Sequence, residues 1–223
     1  MAGERIGLFG GTFDPVHFGH LRLAEEAREA AALSRVIFIP AARSPFKSHR
    51  LLTDAHHRYQ MLLLATAPNP AFTPSDIEIQ RGGISYTIDT VRQLAAQMPH
   101  AQLFLIMGLD SLAEFPQWRK PLQIIQHCRL LVGIRPGYAP EPILAMLPEA
   151  IRNAVHLVPS VPLDISASQL RAFVREGRSL RYLTPDNVIE YIRNHQLYLE
   201  GEAPAEPKPL EGEAPAEPKS QEA

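Results

Sequence analysis

Two histidines three residues apart, His17 and His20, close the run Gly10-Gly11-Thr12-Phe13-Asp14-Pro15-Val16-His17-Phe18-Gly19-His20. If a helix begins here, both imidazoles lie on one face of its first turn and converge on one point. Gly19 between them keeps that point open. The positive end of the helix disfavours imidazolium, so each ring is expected to be neutral, with one N–H donor, until a phosphate arrives. Such a pair can stabilise charge growing on phosphoryl oxygens in a transition state. Zinc is a competing use, but the chain has a single cysteine and no third ligand at a recognisable spacing. Two histidines that only cap a helix are another. A dinucleotide fingerprint drops out, because the order Gly-x-Gly-x-x-Gly is missing.

The elements that must position these groups follow from periodicity. Arg5 to Phe9 is an apolar run of strand length, and Leu21 to Leu33 has apolar residues at helical spacing. The glycine pair between them reads as a turn, where positive φ is open and the backbone can approach a bulky ligand. The unpaired N–H groups of the first helical turn then suit an anion. Val36 to Pro40 reads as a strand buried on both faces. Strand, helix, strand at this spacing implies a parallel pair with a right-handed crossover, whose ligands bind beyond the carboxyl ends of the strands.

Further along, Gln102 to Gly108, Arg129 to Ile134 and Val155 to Val158 read as strands. Ser75 to Gln80 alternates Ile77 and Ile79 with polar residues, as a half-exposed edge strand would, before a turn at Arg81-Gly82-Gly83. Helices are expected over Thr53 to Ala67, with Asp54 as cap and Tyr59, Leu62, Leu63 and Thr66 on overlapping faces. Another runs from about Ile88 to Gln97, capped by Ser85 or Thr87, and a short one spans Leu112 to Phe115. A helix from a Ser168 cap to about Glu176 and a final packing helix from Thr184-Pro185-Asp186 to about His195 complete the set. The sum is an α/β fold, a mostly parallel Rossmann-like sheet with helices on both faces.

Several residues at strand ends have two readings. The aperiodic, basic segment Ala41 to Arg50 is a solvated loop or a phosphate-gripping flap. Asp110 offers a carboxylate to ribose hydroxyls or caps a short helix. Trp118, the only tryptophan, is a packing anchor or a stacking partner for a flat heteroaromatic ring. Arg135 presents a bidentate fork to a phosphate or makes a salt bridge at the rim. With Ser168 as cap, Arg171 stands where a capping box would have Glu or Gln. A cation there opposes the helix dipole, which points to a bound polyanion that offsets the repulsion.

The 223 residues suit one domain or one domain with an appendage, and 45% hydrophobic residues support a packed core. A net charge of −2 without a polybasic block argues against broad attraction to nucleic acid or membrane. Any anion site must be local. Cys128 lies in an apolar strand and is expected to be buried and inert, with no disulfide possible within the chain. No signal segment and no apolar run of about 18 residues is seen, so a cytoplasmic, non-membrane protein is expected. From Leu199 the sequence Leu-Glu-Gly-Glu-Ala-Pro-Ala-Glu-Pro-Lys occurs twice, at 199–208 and 210–219. Such a tract cannot bury a core, which divides the chain into a domain at 1–198 and an expected disordered tail at 199–223.

Gly-Thr-Phe-Asp-Pro-Val-His-x-Gly-His at 11–20 resembles the signature of the nucleotidyltransferase superfamily. Within it, Ser85-Tyr86-Thr87, Gly108-Leu109-Asp110-Ser111, Trp118, Arg135-Pro136-Gly137-Tyr138 and Ile165-Ser166-Ala167-Ser168-Gln169-Leu170-Arg171 resemble the nicotinate-nucleotide adenylyltransferases. The resemblance spans about Ile6 to Tyr198. It implies transfer of AMP from ATP to nicotinate mononucleotide, giving deamido-NAD and pyrophosphate in NAD biosynthesis, with Mg²⁺ on the phosphates and no side-chain metal ligands. By that resemblance His17, His20 and Arg171 are catalytic. ATP would lie on Gly10, Gly11, Thr12, Phe13, His17, His20, Gly108, Asp110, Ile165, Ser166, Ser168 and Arg171. The mononucleotide would lie on Lys47, Ser85, Tyr86, Thr87, Trp118 and Arg135. The chain departs from the family pattern at Phe46, where a histidine is usual before the lysine, and at Arg119, where a tyrosine commonly follows the tryptophan. Adenylyl transfer to nicotinamide mononucleotide or phosphopantetheine, and a non-enzymatic nucleotide sensor, are the alternatives. Oligomeric state stays open.

Overall fold

Strand and helix alternate from the start of the chain, in the order β1 (Arg5–Gly11), α1 (Phe18–Ala30), β2 (Arg35–Pro40), α2 (Ala55–Thr66), β3 (Phe72–Pro74), α3 (Ile77–Arg81), α4 (Thr87–Gln97) and β4 (Gln102–Gly108). The second half continues with α5 (Leu109–Glu114), a 3₁₀ turn (Phe115–Gln117), α6 (Pro121–His127), β5 (Cys128–Ile134), α7 (Glu141–Met146), α8 (Glu149–Arg152), β6 (Val155–Pro159), α9 (Ala167–Arg175) and α10 (Asp186–Asn194). This computed structural model describes residues 3–43, 52–134, 137, 139–161 and 163–199.

The six strands form one sheet in the order β3-β2-β1-β4-β5-β6, with every neighbouring pair parallel. That is the doubly wound order, whose direction of winding reverses between β1 and β4. Side chains alternate across the sheet, so each central strand feeds two cores. Ile6, Leu8, Ile37, Ile39, Leu103, Leu105 and Met107 pack with α4 and α6 residues such as Val91, Leu94 and Ile124. Phe9, Val36, Phe38, Phe104 and Ile106 pack on the other face with Ala24 and Ala27 of α1, Met61 and Leu62 of α2, and Val188 and Ile192 of α10. Burial on both faces is why these strands read as unbroken apolar runs.

The sheet splits where the winding reverses. β1 and β4 are paired only from Arg5↔Gln102 to Leu8↔Leu105. β1 stays paired with β2 as far as Gly11↔Pro40, and β4 with β5 as far as Gly108↔Gly133. Residues 9–11 and 106–108 therefore form the two lips of a cleft at the carboxyl end of the sheet.

Four expectations are corrected. Gly10 and Gly11 are not a turn but the last residues of β1, and the positive φ falls on Phe13, at 48°. The segment 75–80 is not a strand: pairing with β2 uses Phe72, Thr73 and Pro74 instead, and Ile77–Arg81 is a short helix. Gln80 N–H returns to Asp76 O at 2.8 Å, and Gly82 at φ 68° ends the turn, so local capping outweighs the two-residue alternation. The buried face of α2 is Arg58, Met61, Leu62, Ala65 and Thr66, so Leu62 and Thr66 of the expected stripe are buried, whereas Tyr59 is not and Leu63 is exposed. The cap of α9 is Ser166, whose hydroxyl accepts from Gln169 N–H at 3.2 Å, not Ser168. Gln169 then fills the capping-box position and Arg171 begins the second turn, so it does not oppose the dipole in the way its expected register implied.

Three other expectations hold. Asp54 caps α2 by accepting from His56 N–H at 2.8 Å. β4 has the expected bounds, Gln102–Gly108. Cys128 is buried, its thiol donates to Ile124 O at 3.3 Å, and burial pushes it up to about 12. Among the described residues no helix is long and apolar enough to cross a membrane.

Candidate active site

The cleft opens into two lobes on either side of a shared wall. One lobe, of about 490 Å³, is lined by His17, His20, Asp110, Ser166, Ser168 and Arg171, among others. The other, of about 520 Å³, is lined by Ser85, Tyr86, Thr87, Trp118, Arg119 and Glu78, among others. Phe9, Gly10, Gly11, Thr12, Gly108 and Ser111 border both. A Cβ added to Gly10 or Gly108 would meet nothing within 4 Å, so both glycines face open space at the junction. A larger depression, of about 900 Å³, lies at the opposite ends of the strands around Arg5, Gln102 and Cys128 and holds none of these groups.

In the first lobe His17 is the N-cap of α1 and His20 sits at its third helical position. Their rings stack, with centroids 3.7 Å apart and planes 27° from parallel. His17 N–H donates to His20 Nδ1 at 3.3 Å. An accepting Nδ1 places the proton of a neutral imidazole on Nε2, which makes the far edge of the ring a hydrogen-bond donor. Capping and lining the cavity are thus one arrangement, not alternatives. Gly19 has a steric role: a Cβ there would lie 3.0 Å from His17 Nδ1. Phe13 borders the lobe, but its ring is only 1% exposed and packs edge-on against His20 at 5.0 Å.

The loop carrying the histidines is held from four distant segments. Arg58 on α2 is 1% exposed and donates to Thr12 O and Ala41 O at 2.7 Å and to Thr53 O at 2.8 Å. Burial lowers its pKa, opposed by the nearby Asp14 and Asp54. The carboxylate of Asp14, itself buried, accepts from Tyr198 O–H at 2.8 Å and from Thr53 N–H at 3.3 Å. Burial, then the neighbouring Asp14, drives the Tyr198 phenol well above its ordinary value. Thr184 O–H donates to Val16 O at 2.8 Å, and Phe18 N–H to Leu183 O at 3.0 Å. Arg171 Nη1 donates to Asp14 O at 2.7 Å, which brings α9 against the same loop.

The second lobe is built on a buried carboxylate. Glu78 accepts from Thr90 O–H at 2.5 Å, and Thr90 in turn accepts from Arg81 Nη2 at 2.7 Å. Burial raises the Glu78 carboxyl above its ordinary value, against hydrogen bonds from Thr90 and Ser85 and the charge of Arg81. Ser85 does not cap α4 but accepts from Ala42 N–H at 3.0 Å, and Tyr86 is the residue at the cap position. Trp118 packs with its ring 5.2 Å from that of Phe115, and it also lines the lobe. Arg119 places its guanidinium carbon 4.5 Å from the centre of the Tyr86 ring.

Lys47 and Arg135 lie outside the described residues. Ile165, Ser166, Ser168 and Asp110 line the first lobe as expected, and Ser166 and Ser168 hydroxyls are 3.2 Å apart. Sequence reasoning missed Arg58, Glu78, Thr90 and Tyr198. An arginine on the 58-61-62-65 face of an otherwise apolar helix stripe was the available signal for the first.

A family model described as cytidylyltransferase-like matches residues 8–173. A protein of Roseiflexus sp. named "Probable nicotinate-nucleotide adenylyltransferase" is 45% identical over 199 residues, covering 89% of this chain and 100% of that one. One of the same name from Herpetosiphon aurantiacus is 42% identical over 198 residues, covering 88% and 99%. Among solved structures, the Plasmodium falciparum nicotinic acid mononucleotide adenylyltransferase complexed with NaAD has the same fold, with a TM-score of 0.72 at 18% identity over 87% of this chain and 97% of that one. The chain therefore belongs to the cytidylyltransferase-like family, and within it to the nicotinate-nucleotide adenylyltransferases.

Proposed function

We propose that this chain transfers AMP from ATP to nicotinate mononucleotide, forming deamido-NAD and pyrophosphate. The observation that carries this reading is the pair of lobes of unlike chemistry, one with imidazoles, a guanidinium and hydroxyls, the other with Trp118 and Tyr86, meeting at the glycine wall of the split sheet. The relatives' names supply the acceptor.

In the reaction an oxygen of the mononucleotide 5′-phosphate attacks the ATP α-phosphorus in line. One P–O bond forms as the bond to the β-phosphate bridging oxygen breaks, and that electron pair leaves with pyrophosphate. The attacking phosphate is already ionised near neutral pH, so no protein nucleophile or strong base is required. The protein's part is orientation and charge stabilisation. His20, with Nε2–H as its donor, would face the α-phosphate. His17, Ser168 and the remaining N–H groups of Arg171 would take the departing phosphates, and Gly10, Gly11 and Thr12 would allow close backbone approach. Asp110 would accept from the ribose. Thr87 and Trp118 would hold the pyridine ring in the other lobe.

The donors of the phosphate lobe suit phosphate oxygens, and among the described residues no group of three or more His, Cys, Asp or Glu could hold a metal ion. Mg²⁺ would enter with the triphosphate and neutralise part of its charge. Residues 1–198 would carry all of this chemistry. The test is pyrophosphate release on mixing the protein and ATP–Mg²⁺ with nicotinate mononucleotide, nicotinamide mononucleotide or phosphopantetheine separately. Release with the nicotinate compound well above the other two is expected. Preference for either of the others, or release with none, contradicts the reading.

A further inference from the structure

Arg119 stands at the exposed rim of the second lobe, next to Trp118 and against the ring of Tyr86. It is the only Lys, Arg or His among the described residues lining that lobe. Of the two carboxylates there, Glu78 is buried and already accepts from Thr90, while Glu114 is exposed.

Stacking occupies the flat face of a guanidinium and leaves its in-plane N–H donors for a planar acceptor. Held against Tyr86, the side chain has less rotamer freedom to lose when a ligand arrives. A pyridine carboxylate offers two acceptor oxygens to that fork. A carboxamide offers one oxygen, and its NH₂ would face other donors. Leaving donors unmatched is how a site rejects a near-isostere.

We propose that Arg119, stacked on Tyr86, is a specificity-determining residue that selects an anionic ring substituent, the carboxylate over the carboxamide. This rests on the function proposed above, and the two can fail separately. The experiment measures kcat and KM for nicotinate and nicotinamide mononucleotides, at saturating ATP–Mg²⁺, for the wild type, Arg119→Gln and Arg119→Lys. Binding of each mononucleotide is measured by calorimetry in parallel. Arg119→Gln is expected to narrow the acid-to-amide ratio of kcat/KM by about 10- to 100-fold, the range for a hydrogen bond to a charged group, chiefly through KM for the acid. Arg119→Lys, which keeps the charge without the fork, should fall between. A ratio unchanged in Arg119→Gln overturns the proposal, as does an equal loss for both mononucleotides. A wild type that turns over neither compound refutes the function, and the affinity ratio then decides on Arg119 by the same criterion.

Discussion

Arg171 Nη1 donates to the backbone carbonyl of Asp14 at 2.7 Å, joining the 11–20 and 165–171 motifs across 157 residues of chain. The same Asp14 uses its buried carboxylate to accept from Tyr198 O–H at 2.8 Å. One residue of the loop thus fixes Arg171 on one side and Tyr198 on the other. Tyr198→Phe keeps the ring but removes a donor from a buried carboxylate. A loss of about 1–3 kcal/mol in stability is expected, read by denaturant unfolding. Because the loop also carries His17 and His20, kcat should fall while KM for ATP changes less. Unchanged stability would show that the hydrogen bond carries no weight.

Arg58 should tolerate no substitute. Its fork donates to carbonyls of three separate segments, at Thr12, at Ala41 and Ala42, and at Thr53. Lysine keeps the charge but cannot reach all three in one plane. With buried acceptors left unmet, Arg58→Lys is expected to cost about 2–4 kcal/mol in unfolding free energy. A variant with wild-type stability would contradict the role assigned to this side chain.

Glu78 predicts a pH dependence of stability. Burial is the largest influence on its carboxyl and raises it above the ordinary 4.5, so the native state holds that proton more tightly than the unfolded chain does. Its contribution is fully present below the ordinary value and is lost as pH rises through the raised native one. Glu78→Gln keeps an acceptor for Thr90 and has nothing to ionise. Relative to wild type, its stability should improve as pH rises from below the ordinary 4.5 through the raised native value, measured by thermal unfolding at a series of pH values. A difference that stays flat with pH would refute the raised value.

Much of the fold was legible because parallel strands buried on both faces leave unbroken apolar runs, as at Gln102–Gly108. The motif residues were legible because their types are unusual together and their loop is short. Legibility ended where a local signal had two periods. Ile77-Glu78-Ile79 alternates like a strand, which would aim Glu78 at solvent, yet the five-residue helix buries Ile77 and Glu78. Reading Tyr59 and Leu63 into the stripe of α2, in place of Arg58, Met61 and Ala65, hid Arg58. Placing the α9 cap at Ser168 put Arg171 in the wrong turn of the helix, and the carbonyl partner that the structure gives it lies 157 residues away, a contact no local rule can supply. Tyr198 was invisible for the same reason, since its partner Asp14 lies at the other end of the chain.

The central claim, that His20 meets the α-phosphate where the two lobes join, is tested most directly by the kcat of His20→Ala for pyrophosphate release from ATP and nicotinate mononucleotide, with circular dichroism confirming the fold. If His20 acts as an oxyanion-type donor, kcat should drop by about 10²–10³-fold with the fold intact. A folded His20→Ala protein that turns over at nearly the wild-type rate would contradict the account.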